Sequence, residues 1–415
     1  MRMKFNKSSQ LLLVSATSLL AAGLITACGT NTVDFVYVAS AKAAGTNNYG
    51  EIDVFEINSE SGFMRQIPTS PFPSGGRDPV AETVSSDNTN LYVVNQDDNS
   101  IVQFIIGNDG KLYPQNTVNT PGIYPLAVTV SGMNLFVVDL YQPLPSCSTA
   151  APCSGSIAVY PITSSSTSPP SDELGSPITN GSINYWPLTL PGKPNDIIVP
   201  TAVNVLKSGA YIYIAAYDST VTPNAGYVFG FSTSSGGTLT QLNGGVPFAA
   251  GTTPSAIASD PSSSYVYITD STNGDVLGYS VQGGLLTPLS GSPFPAGDQP
   301  SAIAVDPAYP YLYVTNMQDS TVSAYSIGSS GALTRLGSYA TGLQPVAIGI
   351  DPSTNHFLYT ANFLGTTVNG TVSGFELSST AGTLINTQNS PYMANALPTA
   401  VAAIPHNGAG AGTQK

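Results

Sequence analysis

Seven short segments that begin with Pro-x-Ala constrain the fold of this chain more than any other feature of its sequence. Each continues with mostly apolar residues, as in PSAIAV or PVAIGI, and so predicts a short, largely buried β-strand. Successive copies begin 46, 75, 54, 46, 45 and 53 residues apart. Periods near 45 residues that each hold four β runs are typical of β-propeller blades. The copies begin at Pro79, Pro125, Pro200, Pro254, Pro300, Pro345 and Pro398.

Residues 300–342 show the predicted blade most clearly. PSAIAVDP is predicted to form an innermost strand that ends in an Asp-Pro turn, and YLYVTN, TVSAYSI and LTRLGSY follow as the second, third and outer strands. Alanine in the innermost strand has a steric reason, because the strands crowd together near the central axis. Proline can begin such a strand because it has no N–H to contribute to the ladder.

The two ends of the chain complete each other. The first unit begins at Val33 and lacks an innermost strand, whereas the last copy, PTAVAAIP at 398–405, has no strands after it. Pairing the C-terminal strand with the N-terminal strands completes one blade and removes a free sheet edge. The sequence therefore predicts an all-β, seven-bladed β-propeller with four-stranded blades over residues 33–406, followed by a flexible tail at 407–415.

Residues 1–27 predict a targeting segment rather than part of the fold. A basic stretch with Arg2, Lys4 and Lys7 precedes the apolar run LLLVSATSLLAAGLI, which is short for a membrane span. The following ITAC resembles the lipobox of bacterial lipoprotein signal peptides. The resemblance implies cleavage of the signal before Cys28, a diacylglycerol thioether on that cysteine and a short tether at 28–32. The alternative is an ordinary buried or unpaired cysteine.

A lipid anchor would place the protein outside the cytoplasm on a bacterial membrane, and Gly29 favours the outer membrane if the envelope is Gram-negative. Loss of residues 1–27 leaves 8 Lys and Arg against 24 Asp and Glu, a formal charge of −16. This charge argues against nucleic acid as a partner, because phosphates need cations to neutralise them. We expect a monomer.

The long 75-residue interval contains an insertion at 141–198. Within it, Cys147 and Cys153 predict a small loop-closing disulfide, since an exported protein folds where disulfides persist. The insertion also holds the only tryptophan, Trp186, beside Tyr185. An exposed pair of this kind suits stacking on a sugar or anchoring a protein partner. Alternatively, Trp186 packs against the edge of a blade.

Several polar positions stand out from the repeats. An Asn or Asp ends the second strand of five units, where it either caps the following loop or contributes to a ring of ligands. The oxygen-rich loops DSTNGD (270–275) and NQDDNS (95–100) are the candidates for Ca²⁺, although neither has EF-hand spacing. No other metal site or cofactor is predicted. The five strand-ending residues are Asn95, Asp139, Asp270, Asn316 and Asn362.

The sequence contains YVTN at Tyr313–Asn316 and its variants YVVN and YITD, beside the Pro-x-Ala strands and the Asp-Pro turns. With these motifs it resembles the YVTN-type β-propellers and the related seven-bladed lactonase family, named for 6-phosphogluconolactonase. The resemblance covers about residues 33–406 and implies a propeller fold and, for the enzymes, lactone hydrolysis. Lactonase-type members often carry Arg-His or a similar pair after the innermost-strand proline. Here those positions hold neither acid, base nor cation: Val80, Leu126, Thr201, Ser255, Ser301, Val346 and Thr399.

A phosphorylated sugar lactone would need several Arg or Lys for its phosphate, so this substrate is disfavoured. Hydrolysis of another lactone would need a base to activate water and a donor for the oxyanion. Arg77 with Asp78 forms the best charged pair, and the alternative is a solvated salt bridge. Glu82 replaces the Val or Ile of other innermost strands, so its pKa should be perturbed. The alternative there is a water-filled structural channel.

The remaining polar groups of the loops beside the innermost strands include Asp98, Asp298, Gln299 and Gln344. The two histidines, His356 and His406, give no support for a Ser-His-Asp triad. We therefore predict a membrane-anchored, extracytoplasmic propeller that binds a carbohydrate or a protein, or acts as a scaffold. The competing prediction is a lactone hydrolase, and a third is a purely structural envelope protein. Convergent carboxylate, arginine or metal groups would favour the enzyme, whereas a broad aromatic patch at 141–198 would favour binding.

Overall fold

Seven antiparallel sheets form a ring of blades in a computed structural model of the chain, which describes residues 32–42, 48–58, 60–164, 172–351, 356–365 and 369–405. Blade 1 combines both ends of the chain. Its strands are β1 (Thr32–Ala41), β2 (Glu51–Asn58), β3 (Met64–Gln66), β4 (Phe72–Pro73) and the innermost β33 (Leu397–Pro405).

The other six blades follow in chain order, each beginning with its innermost strand. Blade 2 contains β5 (Pro79–Val84), β6 (Asn90–Asn95), β7 (Ser100–Ile106) and β8 (Leu112–Asn119). Blade 3 contains β9 (Ile123–Ser131), β10 (Asn134–Tyr141), β11 (Ser156–Ser164), β12 (Asp172–Leu174) and β13 (Trp186–Pro187). Blade 4 contains β14 (Ile198–Val205), β15 (Tyr211–Asp218), β16 (Ala225–Thr233), β17 (Leu239–Gln241) and β18 (Phe248–Ala249), with a 3₁₀ turn at Asn243–Gly245.

Blades 5 to 7 repeat the same order. Blade 5 contains β19 (Pro254–Ser259), β20 (Tyr265–Asp270), β21 (Asp275–Gln282), β22 (Leu285–Pro288) and β23 (Phe294–Pro295). Blade 6 contains β24 (Pro300–Val305), β25 (Tyr311–Asn316), β26 (Thr321–Ile327) and β27 (Leu333–Ala340). Blade 7 contains β28 (Leu343–Ile350), β29 (Phe357–Leu364), β30 (Thr371–Leu377), β31 (Leu384–Asn386) and β32 (Tyr392–Met393).

The predicted closure is confirmed, because β33 pairs with β1 and completes blade 1. The seven-bladed, all-β prediction is confirmed with it. Most blades carry an additional two-residue strand beside the third strand, which the sequence did not indicate. In the part of the chain that is described, no helix has the length and apolar character that crossing a bilayer requires.

Every innermost strand contains a β-bulge at the Pro-x-Ala motif. In blade 6, Pro300 pairs with Asn316 and Ala302 pairs with Thr315, so that Ser301 has no partner in register. The same shift occurs in the other six blades. A bulge of this kind bends the strand and redirects a side chain. The residue after each proline is therefore presented at one end of the ring.

The tyrosine of YVTN has a role between blades. Tyr313 is fully buried, and its hydroxyl donates a hydrogen bond to the Gly382 carbonyl in the outer hairpin of blade 7, at 3.2 Å. The Tyr37, Tyr213 and Tyr267 hydroxyls make the same bond to a turn glycine of the following blade. The blades bury apolar side chains against one another, and blades 1, 4, 5 and 6 each add a tyrosine bond to the next blade.

Candidate functional site

A cavity of about 610 Å³ lies at the end of the ring where the bulges are. Two kinds of loop meet there: the loops that lead into the innermost strands, and the loops between the second and third strands. We call this end the mouth of the propeller. The cavity extends over blades 5 to 7 and is lined by Ser255, Ser271, Thr272, Asp298, Gln299, Pro300, Ser301, Met317 and Val346.

The two bulge serines of the cavity connect neighbouring blades. Ser255 Oγ donates to the Pro300 carbonyl at 2.6 Å, and Ser301 Oγ donates to the Pro345 carbonyl at 2.6 Å. Each hydroxyl also lies 2.8–2.9 Å from a threonine hydroxyl on the second strand of its own blade. Because its one proton is engaged between blades, neither serine is arranged as a nucleophile that a base could activate.

The polar groups of the cavity that remain free are Asp298 and Gln299. Both residues are exposed, and neither side chain makes a hydrogen bond to a described residue. Gln299 adopts a left-handed backbone conformation, with φ of 53°, directly before Pro300. This conformation is disfavoured for a residue before proline and is typical of positions held in place for function. Met317 and Val346 add apolar surface beside these groups.

The left-handed conformation before the innermost-strand proline recurs around the mouth. Asp78, Tyr124 and Gln344 have φ values of 53°, 57° and 54°. The repeat therefore presents a side chain at the same backbone position in blades 2, 3, 6 and 7. Asp298, Gln299 and Gln344 were recognisable in the sequence as polar loop residues without a predicted role. The signal that would have found them is their place immediately before Pro300 and Pro345, on the other side of each proline from the bulge residue.

The structure does not join Arg77 to Asp78. Arg77 pairs instead with Asp98: Nη2 lies 2.6 Å from Oδ1, Nε donates to Oδ1 at 2.7 Å, and the backbone N–H donates to Oδ2 at 2.7 Å. These bonds raise the pKa of Arg77 and lower that of Asp98. Asp78 is half-buried, and burial, followed by the charge of Asp97, raises the pKa of its carboxyl group. Arg77 therefore forms a loop salt bridge to a residue 21 positions away.

Glu82 lies between blades and not in an open channel. Both carboxyl oxygens are fully buried, although other atoms of the residue are partly exposed, and neither makes a hydrogen bond of ordinary geometry to a described residue. Burial raises the pKa of Glu82 to about 8, and the backbone of Ala39 and Ala402 offsets only part of this effect. No lining residue of the cavity comes from the strand that carries Glu82. Its carboxyl group is therefore closed to a ligand at the mouth.

Most of the Asn and Asp residues that end the second strands bond to nearby parts of the protein, and two of them, Asp270 and Asn316, cap loops. All five are completely buried. Asn316 Oδ1 accepts the N–H of Gly297 at 2.9 Å, and the Asp270 carboxylate accepts the N–H groups of Thr252 and Thr253. A buried ring of these residues offers no ligand to the mouth. Asp139 is the exception, because neither of its carboxyl oxygens has a hydrogen-bond partner of ordinary geometry among the described residues.

The two oxygen-rich loops use their carboxylates within the protein. Asp270 caps its loop, and Asp98 binds Arg77. Burial, followed by the charge of Asp270, raises the pKa of Asp275 to about 6. Within the described ranges, no three His, Cys, Asp or Glu side chains come together as a metal ion would require. A Ca²⁺ site at these loops remains a prediction without structural support.

The insertion at 141–198 packs differently from the exposed aromatic pair considered above. Trp186 is 5% exposed and Tyr185 is 8% exposed, and the Trp186 indole N–H donates to the Leu239 carbonyl of blade 4 at 3.1 Å. An exposed stacking pair is therefore the wrong interpretation, because Trp186 fills the junction between blades 3 and 4. Cys147 and Cys153 are joined by a disulfide. Cys28 and His406 lie outside the described residues.

A family described as "Lactonase, 7-bladed beta-propeller" matches residues 269–395, a segment that contains every lining residue of the cavity except Ser255. We found no match among curated proteins. The periplasmic gluconolactonase of Pseudomonas aeruginosa superposes with a TM-score of 0.69 at 18% identity, over 90% of this chain and 99% of that one.

A putative 6-phosphogluconolactonase from Bacteroides fragilis gives a TM-score of 0.67 at 18% identity, again over 90% and 99% of the two chains. Its counterpart from Bacteroides uniformis gives 0.66 at 16% identity, over 90% and 100%. At these identities the structures establish the shared fold, and the motif-based resemblance agrees with them. The chain is a seven-bladed β-propeller, and its residues 269–395 match the lactonase family of that fold.

Proposed function

We propose that the protein is a membrane-anchored, extracytoplasmic propeller that binds a neutral, hydroxyl-rich ligand, such as a carbohydrate, in the cavity at its mouth. The observation that carries this proposal is the composition of the cavity wall. The wall contains a free amide, a free carboxylate and several hydroxyl groups beside Met317 and Val346, and no cation. Amide and carboxylate groups next to a small apolar surface match the alternating polar and apolar faces of a sugar.

Charge supports a neutral ligand over an anionic one. The chain without residues 1–27 has a formal charge of −16. Arg77, the cation that the loops of the mouth contribute in blade 2, is neutralised by Asp98. A phosphorylated sugar would meet Asp298 without an arginine or lysine in the cavity wall.

Lactone hydrolysis at the same cavity is the second candidate, favoured by the family match over residues 269–395. Asp298 would act as the base that activates water. The hydroxyl donors nearest the bulges are already engaged between blades, so that the oxyanion would depend on the Gln299 amide. A ligand-binding role requires no such donor, and for this reason we place it first.

The two candidates can be separated with the full chain extracted in a non-ionic detergent. Calorimetric titration with cellobiose, maltose, lactose and chitobiose should give saturable binding to at least one sugar. Gln299→Ala should weaken that binding about tenfold through the loss of hydrogen bonds, whereas Gln282→Ala, at an exposed glutamine of β21, should leave it unchanged. An equal loss of sugar affinity in both variants, or no binding to any of the sugars, would contradict the proposal.

The same preparation should be tested by pH-stat on glucono-δ-lactone and γ-butyrolactone beside a blank without protein. Turnover above the blank that disappears in Asp298→Asn would establish the hydrolase and assign Asp298 as its base. Turnover that persists in Asp298→Asn would place the chemistry elsewhere. Binding of a sugar without turnover of either lactone would favour the binding role.

The anchor requires its own test. The periplasmic location given for the Pseudomonas aeruginosa protein agrees with an exported propeller. Cys28→Ser should abolish incorporation of labelled palmitate and release the chain from the membrane fraction, because stable anchoring needs the acyl chains. Unchanged membrane association of Cys28→Ser would contradict lipidation at this residue.

A further inference from the structure

Three tyrosines occupy, in blades 3 and 4, the backbone positions that line the cavity in blades 5 and 6. Tyr124 precedes Pro125 as Gln299 precedes Pro300. Tyr217 follows the residue that pairs with Pro200, as Met317 follows the residue that pairs with Pro300. Tyr141 lies two residues after the partner of Pro125, as Thr272 lies two residues after the partner of Pro254. Equivalent positions place all three tyrosines at the mouth.

The three side chains form a corner. The rings of Tyr124 and Tyr141 have centroids 6.1 Å apart and planes at 77°, so that they meet nearly at a right angle. Tyr217 lies on neighbouring blade 4 at the position equivalent to Met317, and burial, followed by the electrostatic effect of Tyr141, raises its pKa. Tyr124 and Tyr217 are half-buried, whereas Tyr141 is 9% exposed. We call this set the tyrosine corner.

The fold does not use the hydroxyl groups of these tyrosines. None of the three donates a hydrogen bond to a described residue, in contrast to Tyr37, Tyr213, Tyr267 and Tyr313, which connect blades. The fully buried tyrosine hydroxyls that lack a partner are those of other residues, Tyr92, Tyr160 and Tyr359. The hydroxyls of the corner therefore remain in contact with solvent, as expected of a surface that meets a ligand.

The backbone conformation of Tyr124 is energetically unfavourable. A bulky side chain at φ of 57° is an outlier. Helical backbone is disfavoured further at Tyr124 because the next residue is a proline. The backbone N–H of Tyr124 donates to Asn99 Oδ1 at 2.7 Å, a contact that fixes this conformation. The other blades with this conformation carry Asp or Gln at the same place. The aromatic side chain is thus a property of blade 3 and not of the repeat.

The geometry points to a binding site for a substituted ammonium group at the tyrosine corner. Aromatic faces attract cations within about 6 Å of the ring centroid, and several faces around one point form the cages that recognise quaternary ammonium ligands. The open faces of two rings at 77° border a right-angled recess that suits a compact cation, whereas a sugar ring stacks on one flat face. The strongly negative charge of the chain adds attraction. Lys193 at the edge of blade 4 is paired with Asp196 at 3.1 Å, and its charge therefore repels a bound cation only weakly.

The test uses the full chain in detergent and compares choline with its uncharged isostere 3,3-dimethylbutan-1-ol by calorimetry. Choline should bind, and the isostere should bind at least about tenfold more weakly, because only choline gains from the ring faces. Tyr124→Leu and Tyr217→Leu should each weaken choline binding about three- to thirtyfold, whereas Tyr217→Phe should retain it.

Tyr113→Leu is the matched control, since Tyr113 is 52% exposed on β8, away from the mouth. Equal binding of choline and the isostere would reduce the corner to an apolar contact and overturn the assignment. An equal loss in Tyr113→Leu, or no choline binding by the folded wild-type chain, would overturn it as well. Sugar binding is measured separately with Gln299→Ala, so that either site can fail without the other.

Discussion

Two junctions between neighbouring innermost strands differ at the third position after the innermost-strand proline. Between blades 5 and 6, Ser255 Oγ donates to the Pro300 carbonyl and Ile303 packs into the apolar layer. Between blades 1 and 2, Thr399 Oγ1 donates to the Pro79 carbonyl at the same distance of 2.6 Å. The position of Ile303 is occupied there by Glu82, whose carboxyl group is buried without a hydrogen bond of ordinary geometry.

The comparison shows that the closing junction, between the last innermost strand β33 and the first innermost strand β5, keeps the connecting hydrogen bond but gives up apolar packing. A buried carboxyl group without partners destabilises the folded state, and most strongly when it is ionised. The closing junction is therefore the one innermost junction of the ring whose strength depends on the protonation of a glutamate at the packing position.

Glu82→Val should give the largest change in stability. Valine matches the apolar residues at this position in the other blades, so that the variant restores packing and removes the buried carboxyl group. At pH 9 we expect the free energy of unfolding to rise by on the order of 3 kcal/mol. Thermal unfolding of the full chain measures this change. An unchanged or lower midpoint would show that Glu82 is stabilised by its surroundings.

The raised pKa of Glu82 also predicts how the stability of the chain changes with pH. The pKa of Glu82 is about 8 in the folded chain and 4.5 without perturbation. The folded state therefore holds a proton that the unfolded state releases between these values, and stability falls as the pH rises from about 5 to 8. Relative to Glu82→Gln, the midpoint of the wild-type chain should decrease over this range and then run parallel. Parallel curves from pH 5 onward would contradict a raised pKa.

Much of the architecture could be predicted from the sequence because it repeats. The Pro-x-Ala strands give the number of blades, and the unequal ends give the closure. The bulge could not be predicted, because whether Pro300 pairs with Asn316 or Thr315 depends on register between strands. Ser255 and Ser301 consequently had no expected role, although both connect blades through the carbonyl of the next proline.

The candidate site was harder to predict because its contacts join distant parts of the sequence. Arg77 could be paired with the adjacent Asp78 in sequence, but two loops bring it to Asp98. Trp186 stands in an insertion, which favours exposure, yet its indole reaches Leu239 of the next blade, 53 residues away. The length of an insertion indicates that a segment departs from the repeat. It does not indicate whether that segment packs over a junction between blades.

Asp139→Asn should give the second largest effect, because it replaces another buried carboxyl group that lacks a hydrogen-bond partner of ordinary geometry among the described residues. Asn316 Nδ2 donates to Thr321 Oγ1 and Ser323 Oγ at 3.0 Å each, whereas Asp139 lies opposite Ser156, whose buried hydroxyl makes no hydrogen bond to a described residue. Burial raises the pKa of Asp139 to about 7 from 3.8. An amide would donate to Ser156 and carry no charge.

We expect Asp139→Asn to raise the free energy of unfolding by about 1–2 kcal/mol at pH 8. The gain should shrink as the pH falls from 7 to 4, because over this range the folded wild-type chain takes up a proton on Asp139 that the unfolded chain does not bind. Urea unfolding at pH 8 and pH 4 measures both values. Asn362→Asp is the reverse control and should destabilise blade 7, where Nδ2 donates to Thr371 and Ser373.

Thr399→Val should give the smallest of the three effects and tests the connection that both junctions share. The variant keeps the shape of the side chain but removes the donor to the Pro79 carbonyl, so that the free energy of unfolding should fall by about 1 kcal/mol. Thr201→Val is the matched control, since Thr201 Oγ1 bonds to Ala215 within its own blade, at 3.2 Å. If both variants lose the same stability, the bond across the closing junction has no special weight. A larger loss in Thr399→Val would show that the hydroxyl connection offsets part of the weakness that Glu82 introduces where the ring closes.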